Sequence, residues 1–309
     1  MGSERIKAPL WVHLLAFVIV AIWGSTFVST KLLLDSGLSP AQIFTLRFLI
    51  AYVLLLLFSL SKGRGHRWFS RSVKDELLML GLGITGGSIY FLTENEALRH
   101  TTTTNVSLIV CSCPLVASLL ISLFYKSERL SRHQLIGSVM AVVGVAVVVL
   151  NGHFVLHLSP IGDALALAAN LCWAVYSLLM IPANRAYDAV FITRKVFFYG
   201  LITMIPYYAM VPSQLPTAFG GSLDMSVLLR ADVIANLMFL GCVASMLCFV
   251  LWTWVMRRLG AVVATNYVYI NPISTVVVSS LVLAEPVTPF FVTGSVLILI
   301  GMYMADRER

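Results

Sequence analysis

Charge is scarce in this sequence. Asp, Glu, Lys and Arg make up 11% of its 309 residues, where a soluble globular domain carries about 25%. With 59% hydrophobic residues and a mean hydropathy of +0.91, the chain cannot cover itself with a polar surface, which excludes an ordinary soluble enzyme. A P-loop is also missing, so ATP does not drive the protein directly. Cysteine is sparse, and all five, Cys111, Cys113, Cys172, Cys242 and Cys248, fall inside apolar stretches, where a free thiol acts as a small buried hydrophobe. No disulfide is expected. The six histidines lie at helix ends or in loops, and His153 and His157, the one close pair, have no neighbouring acids or thiols. No metal site and no cofactor are expected. Gly81-Leu82-Gly83-Ile84-Thr85-Gly86 is formally a dinucleotide fingerprint, but that motif needs a preceding strand and here it lies within an apolar run. Close helix packing explains it better.

Long apolar runs are abundant. They cover 11–30, 41–60, 77–97, 105–125, 134–150, 161–182, 193–211, 232–255, 262–283 and 289–305. Each approximates the ~20 residues that cross ~30 Å of hydrocarbon as a helix. The expected fold class is all-α, a polytopic membrane protein of ten transmembrane helices. What remains for loops is too short for a soluble domain. The net charge of +7 reads as topology. With the N-terminus inside, 17 of the 21 Lys and Arg fall on inner segments, while Lys31, Arg99 and Arg230 lie at outer ends and Arg47 within a span. The positive-inside rule then puts both termini in the cytoplasm. The basic residues are spread over separate loops, so nucleic acid is not an expected partner.

The chain repeats itself. In the stretch 118–147, Glu128 sits in a short polar turn and is followed by Gly137-Ser138-Val139 and Gly144; in 276–303, Glu285 is followed by Gly294-Ser295-Val296 and Gly301. Pro114 and Pro272 precede the two acids. Glycines at i and i+7 share a helix face and let helices pack backbone to backbone in lipid. Trp173 restates Trp23 at an offset of 150, and helix 8 restates helix 3 at 158, with Gly241 for Gly83, Phe249 for Phe91 and Arg257 for Arg99. Two five-helix repeats are expected, residues 1–150 and 151–309. An odd number of helices per repeat turns the second copy upside down, and inverted repeats place a substrate site between the halves near the midplane, worked by alternating access.

Ionisable groups inside a span usually face a cavity or a partner. Glu94 can bind a substrate amine or carry a coupling proton; alternatively it reaches the outer interface or pairs with Lys31 or Arg99. Helix 8 has Trp252 and Trp254 where helix 3 has Glu94 and Glu96, so the halves differ there in charge. Glu96 lies nearer water. Arg47 can meet a carboxylate bidentately or serve as a structural partner of Glu94. Lys195 is expected to snorkel into the cytoplasmic headgroups. Trp23, Tyr90, Trp173, Tyr176, Trp252 and Tyr267 supply an aromatic box or, alternatively, packing and interfacial belts. Asn105, Asn170, Asn266 and Asn271 bind substrate or bond helix to helix. The candidate substrate-binding set is Trp23, Arg47, Tyr90, Glu94, Asn105, Trp173, Tyr176, Trp252, Asn266 and Tyr267, with Glu94 as the proton-coupling candidate.

The repeated hairpin, Trp23-Gly24-Ser25-Thr26, and the passage Ala97-Leu98-Arg99, Asn105-Val106-Ser107, Pro114 resemble the drug/metabolite transporter superfamily, specifically EamA-like ten-helix transporters, over nearly the whole chain. The resemblance implies a carrier in the bacterial inner membrane, often an exporter of amino acids and other small metabolites, with a central cavity lined by helices 1, 3, 4, 6, 8 and 9. Glu94 and Glu96 depart from the apolar or aromatic residues common in relatives. The expected function is a secondary transporter of a small organic metabolite, an amino acid or related amine, working outward as a monomer in the bilayer. The alternatives are multidrug or lipid-linked-solute efflux on the same fold, a channel, and a membrane-embedded enzyme, for which clustered nucleophiles, bases or metal ligands are wanting.

Overall fold

In the computed structural model the chain is a bundle of helices, with no strand among the described residues. The structure describes residues 9–61, 67–100, 106, 109–125, 130–150, 159–215, 225–283 and 287–306. The helices are α1 (Leu10–Asp35), α2 (Pro40–Ser61), α3 (73–100), α4 (Cys113–Phe124), α5 (Arg132–Leu150), α6 (Pro160–Ala186), α7 (Ala189–Ile202, continued by Ile205–Met210), α8 (Ala231–Leu259), α9 (261–283) and α10 (Pro289–Asp306). Eight stretches are long and apolar enough to cross a membrane, and α4 and α10 are apolar but shorter. Each expected span therefore meets an apolar helix. The turns that hold Glu128 and Glu285 lie outside the described residues.

Helix starts follow local chemistry. Ser39 and Gln42 cap α2 reciprocally, Ser39 N donating to Gln42 Oε1 (2.8 Å) and Gln42 N to Ser39 Oγ (3.3 Å). Ser131 and Gln134 repeat the device on α5. Each box satisfies two amides that a helix N-terminus leaves open. Between α8 and α9, Gly260 has φ +85°, which lets one residue turn the chain.

Hydropathy reads every span as one unbroken α-helix, and four of them depart from that. α3 widens to a π-helix at Ile84–Ser88 and α8 at Phe239–Leu247. α9 tightens to 3-10 geometry at Tyr267–Ile270, just ahead of Pro272, because a proline lacks the N–H and its ring crowds the preceding turn. α7 breaks at Thr203 and restarts at Ile205 with Pro206 in its first turn.

The long-range packing is reciprocal. α5 and α10 cross antiparallel. A Cβ on Gly137 would stand 2.5 Å from Gly301 O, and one on Gly144 would stand 2.7 Å from Gly294 O. The two repeated hairpin glycine pairs thus face each other, backbone on backbone. α2 lies on the π segment of α8, and α7 on α3. Gly241 makes room for Ile50, and Gly83 for Tyr199. α1 packs on α9 at Gly24, where Ser274 closes over the glycine and Thr275 Oγ1 donates to Gly24 O (3.1 Å). α6 packs on α4, and just ahead of α4 the Asn170 Nδ2 donates to Ile109 O (2.5 Å) and Ser112 Oγ (2.9 Å).

Candidate functional site

The centre of the bundle is an aromatic cluster built from four helices. Trp23 comes from α1, Tyr90 and Phe91 from α3, Trp173 and Tyr176 from α6, and Phe249 and Trp252 from α8. The Trp23 ring meets Trp252 at 5.1 Å between centroids, Phe249 at 5.5 Å and the edge of Trp173 at 6.0 Å. Trp173 continues to Tyr176 (5.2 Å) and Tyr90 (5.5 Å). Offset and edge-on rings at these separations add to the burial of their apolar area.

The unusual helix geometry serves this cluster. In the π segment of α8, the indole of Trp23 donates to Ala244 O (2.9 Å). Gly86, in the π segment of α3, is the space that the Tyr176 ring fills: a Cβ there would sit 2.3 Å from Tyr176 Cδ2. Both π segments thus face the site, as such bulges often do.

Two charged groups flank the rings. Arg47 of α2 is buried; its Nε donates to Ser245 Oγ of α8 (2.9 Å), and its guanidinium lies 5.4 Å from the Phe91 centroid. Glu94 of α3 accepts from Tyr90 OH (3.0 Å). Neither Arg47 nor Glu94 has an ion-pair partner among the described residues, so the guanidinium keeps nitrogens and the carboxyl group keeps lone pairs for another molecule. The indole nitrogens of Trp173 and Trp252 are buried without a hydrogen-bond partner, although both rings are more than nine-tenths buried. A buried donor left unsatisfied costs about 1–3 kcal/mol. The centre therefore holds a carboxyl group, a guanidinium and two open N–H donors around an aromatic surface.

Of the residues expected from sequence, Trp23, Tyr90, Trp173, Tyr176 and Trp252 come together, with Arg47 and Glu94 beside them. Asn105 lies outside the described residues, as do His153 and His157. Asn266 and Tyr267 are elsewhere. They line a crevice of about 250 Å³ with Phe17, Ile270 and Met302, and Tyr267 OH bonds His13 Nδ1 (2.7 Å). His13 and Trp23 are ten residues apart on α1, about 15 Å along the axis. Asn170 is used between segments, bonding Ile109 O and Ser112 Oγ just ahead of α4, whereas the Asn271 side-chain oxygen is buried without a hydrogen-bond partner. Among the described residues no group of three His, Cys, Asp or Glu is placed to hold a metal ion.

Sequence reasoning also missed a polar cluster at one end of the bundle. Lys195 does not snorkel. It is buried and ion-paired with Glu76. Glu76 also accepts from Tyr199 OH (2.5 Å) and Ser70 N (3.1 Å). Nearby, Tyr187 OH donates to Asp75 Oδ2 (2.8 Å) and accepts from Arg71 N (2.7 Å); burial and the Asp75 carboxylate push the Tyr187 phenol up. The only local signal was an acid in the first turn of α3, which reads equally well as a helix start.

Comparison with known proteins gives a consistent picture. The model of the EamA-like transporter family matches residues 10–150 and 160–305. An "Uncharacterized transporter" of Archaeoglobus fulgidus is 26% identical, over 96% of this chain and 98% of its own. A "Probable terminal-alkyne amino-acid exporter" of Streptantibioticus cattleyicolor is 25% identical over 98% of this chain and 95% of its own. A "Probable amino-acid metabolite efflux pump" of Escherichia coli is 25% identical over 94% and 93%. One solved crystal structure superposes with a TM-score of 0.73 over 96% of this chain and 97% of its own, at 20% identity, which is a likeness of fold.

Proposed function

The chain belongs to the EamA-like transporter family, and from that membership we propose that it exports an amino acid or related amine by alternating access between two inverted five-helix repeats, residues 1–150 and 151–309. The coarser part rests on the family and its relatives: this is a multi-pass membrane transporter of small molecules and not an enzyme. The observation that carries the finer part is the placing of Glu94, held by Tyr90, and of Arg47, held by Ser245, beside one buried aromatic cluster. A carboxylate there neutralises a substrate ammonium. The guanidinium and the two open indole N–H groups suit a substrate carboxylate, and the rings suit its apolar part. The names of the relatives point the same way.

The repeat reading is supported by the antiparallel contact of α5 with α10 through corresponding glycines, and by the paired π segments of α3 and α8. A two-fold axis in the membrane plane relates helices in this manner. The Lys and Arg distribution orients both termini, and the loop before α3, toward the cytoplasm. Glu94 also takes up a coupling proton between the outward and inward states.

Glu94→Gln tests the reading, because the amide keeps size and hydrogen bonding but not charge. The variant is expected to fold as the parent and to lose transport of labelled amino acids in sealed vesicles, or to lose its dependence on pH. Transport at the parental rate across pH 5–8 by the folded variant removes Glu94 from the mechanism.

A further inference from the structure

The cluster around Glu76 sits on the contact that alternating access has to shear. α3 and α7 come from opposite repeats, and their contact is tight: a Cβ on Gly83 would stand 2.5 Å from Tyr199 Cβ, and Gly87 lies under Gly200. Glu76 lies in the first turn of α3 and Lys195 in the second turn of α7. On the orientation proposed above, both lie at the cytoplasmic end, Glu76 fourteen residues before Tyr90 on α3. Between Glu76 and Tyr90 lies the π turn Ile84–Ser88, the kind of irregular turn at which a helix bends.

We propose that Glu76, Lys195 and Tyr199 form the inner latch of this transporter: closed, they seal the cytoplasmic end of the path between α3 and α7, and they part when the central site opens inward. The inference rests on the alternating-access reading. Its physical basis is the burial of Lys195 against a partly exposed Glu76. Lys195 is 7% exposed, and its ammonium lies within 6.0 Å of the rings of Phe69, Phe191, Phe198 and Tyr199. The buried ammonium depends on the Glu76 carboxylate, and left alone in the closed state it is penalised. Once the helices part and water enters, both are solvated separately. The pair is therefore stable closed or fully open and unfavourable in between, as a gate requires.

The latch is on one end only. Gly83 meets Tyr199 where Gly241 meets Ile50, so the contact of α3 with α7 corresponds to that of α8 with α2. In those registers Glu76 and Lys195 fall on Ile234 and Leu46, which cannot pair ionically. At these two positions the matching outer contact carries no ion pair, and the cycle is asymmetric between its two closed faces.

The test reads accessibility and needs no solute. Met79, one turn deeper in α3 than Glu76, is fully buried. A Met79→Cys protein, full length with its five native cysteines, is reacted with a membrane-impermeant maleimide from the cytoplasmic face of inside-out vesicles, and labelling of the parent chain is subtracted. Adding Lys195→Met removes the tie between α3 and α7 and is expected to speed labelling about tenfold or more, the effect of a modest shift in a two-state equilibrium. Lys195→Arg, which keeps the pair, is expected to label slowly. Tyr199→Phe, which removes one donor, is expected to fall between them, and it serves if Lys195→Met does not fold. Labelling of folded Lys195→Met, or in its place Tyr199→Phe, at the rate of the Met79→Cys protein overturns the latch, as does Lys195→Arg labelling as fast as Lys195→Met. Such a failure leaves the exporter reading standing, because that reading is judged by solute flux.

Discussion

The contact between α5 and α10 sets two opposing effects of one substitution against each other. Gly→Ala in a helix interior gains about 0.5–1 kcal/mol from the unfolded state. At Gly137 the new Cβ would stand 2.5 Å from Gly301 O and 2.6 Å from Ala305 N, where ordinary contact begins at 3.4 Å. Both neighbours are backbone, so the helices must separate by nearly 1 Å along the seam. Overpacking of this kind costs about 1–3 kcal/mol, and in lipid no hydrophobic drive holds the parted helices together. The steric effect wins, and Gly137→Ala is expected to lose about 1–2 kcal/mol net. Gly81 makes the opposite case. Its nearest neighbour is Leu179 Cδ1 at 3.2 Å, the free end of a flexible side chain, so Gly81→Ala is expected to be neutral or stabilising. Gly301 faces Gly137 across the same seam, with its Cβ position 2.5 Å from Gly137 O. One displacement relieves both clashes, so Gly137→Ala with Gly301→Ala is expected to cost less than the sum of the two. Thermal unfolding in detergent, followed by fluorescence-detected size exclusion, reads all four proteins. Equal melting temperatures for Gly137→Ala and Gly81→Ala, or strict additivity of the pair, would refute the reasoning.

Two further outcomes are expected. Asn170→Leu removes the bonds from α6 to Ile109 O and Ser112 Oγ, yet Ser112 Oγ still donates to Ile109 O; the melting temperature should fall only slightly, in keeping with ~0.6 kcal/mol for such bonds in a bilayer, and a loss of several kcal/mol would mark Asn170 as more than an inter-helix tie. A cysteine placed at Ser222 should react with an impermeant thiol reagent on intact cells and one at Gly65 only after permeabilisation, both positions lying outside the described residues; the reverse pattern turns the molecule over.

The glycines were legible because their signal is local. Gly137 and Gly144, like Gly294 and Gly301, recur at i and i+7 after the same polar turn, and spacing alone puts them on one face. The aromatic cluster was half legible. Trp23 and Trp173 stand out as repeats of each other, and Glu94 as a charge whose counterpart, Trp252, carries none. The π segments had only a weak mark, the crowding of Gly81, Gly83, Gly86 and Gly87 in α3, which also reads as a packing surface.

The apolar runs, the charge bias of the loops and the repetition of the hairpin could be read from the sequence alone. These depend on how many residues cross the hydrocarbon and where Lys and Arg fall, quantities that add up along the chain. Which faces turn inward was settled by packing. It set Tyr267 beside His13, about 15 Å along α1 from Trp23, and brought Lys195 to Glu76 across a separation of 119 residues. The reason lies in the solvent. In water a polar face marks the outside of a helix, but in lipid both faces of a span are apolar. Hydropathy then gives no rotation about the helix axis, and the choice passes to the fit of one backbone and one ring against the next.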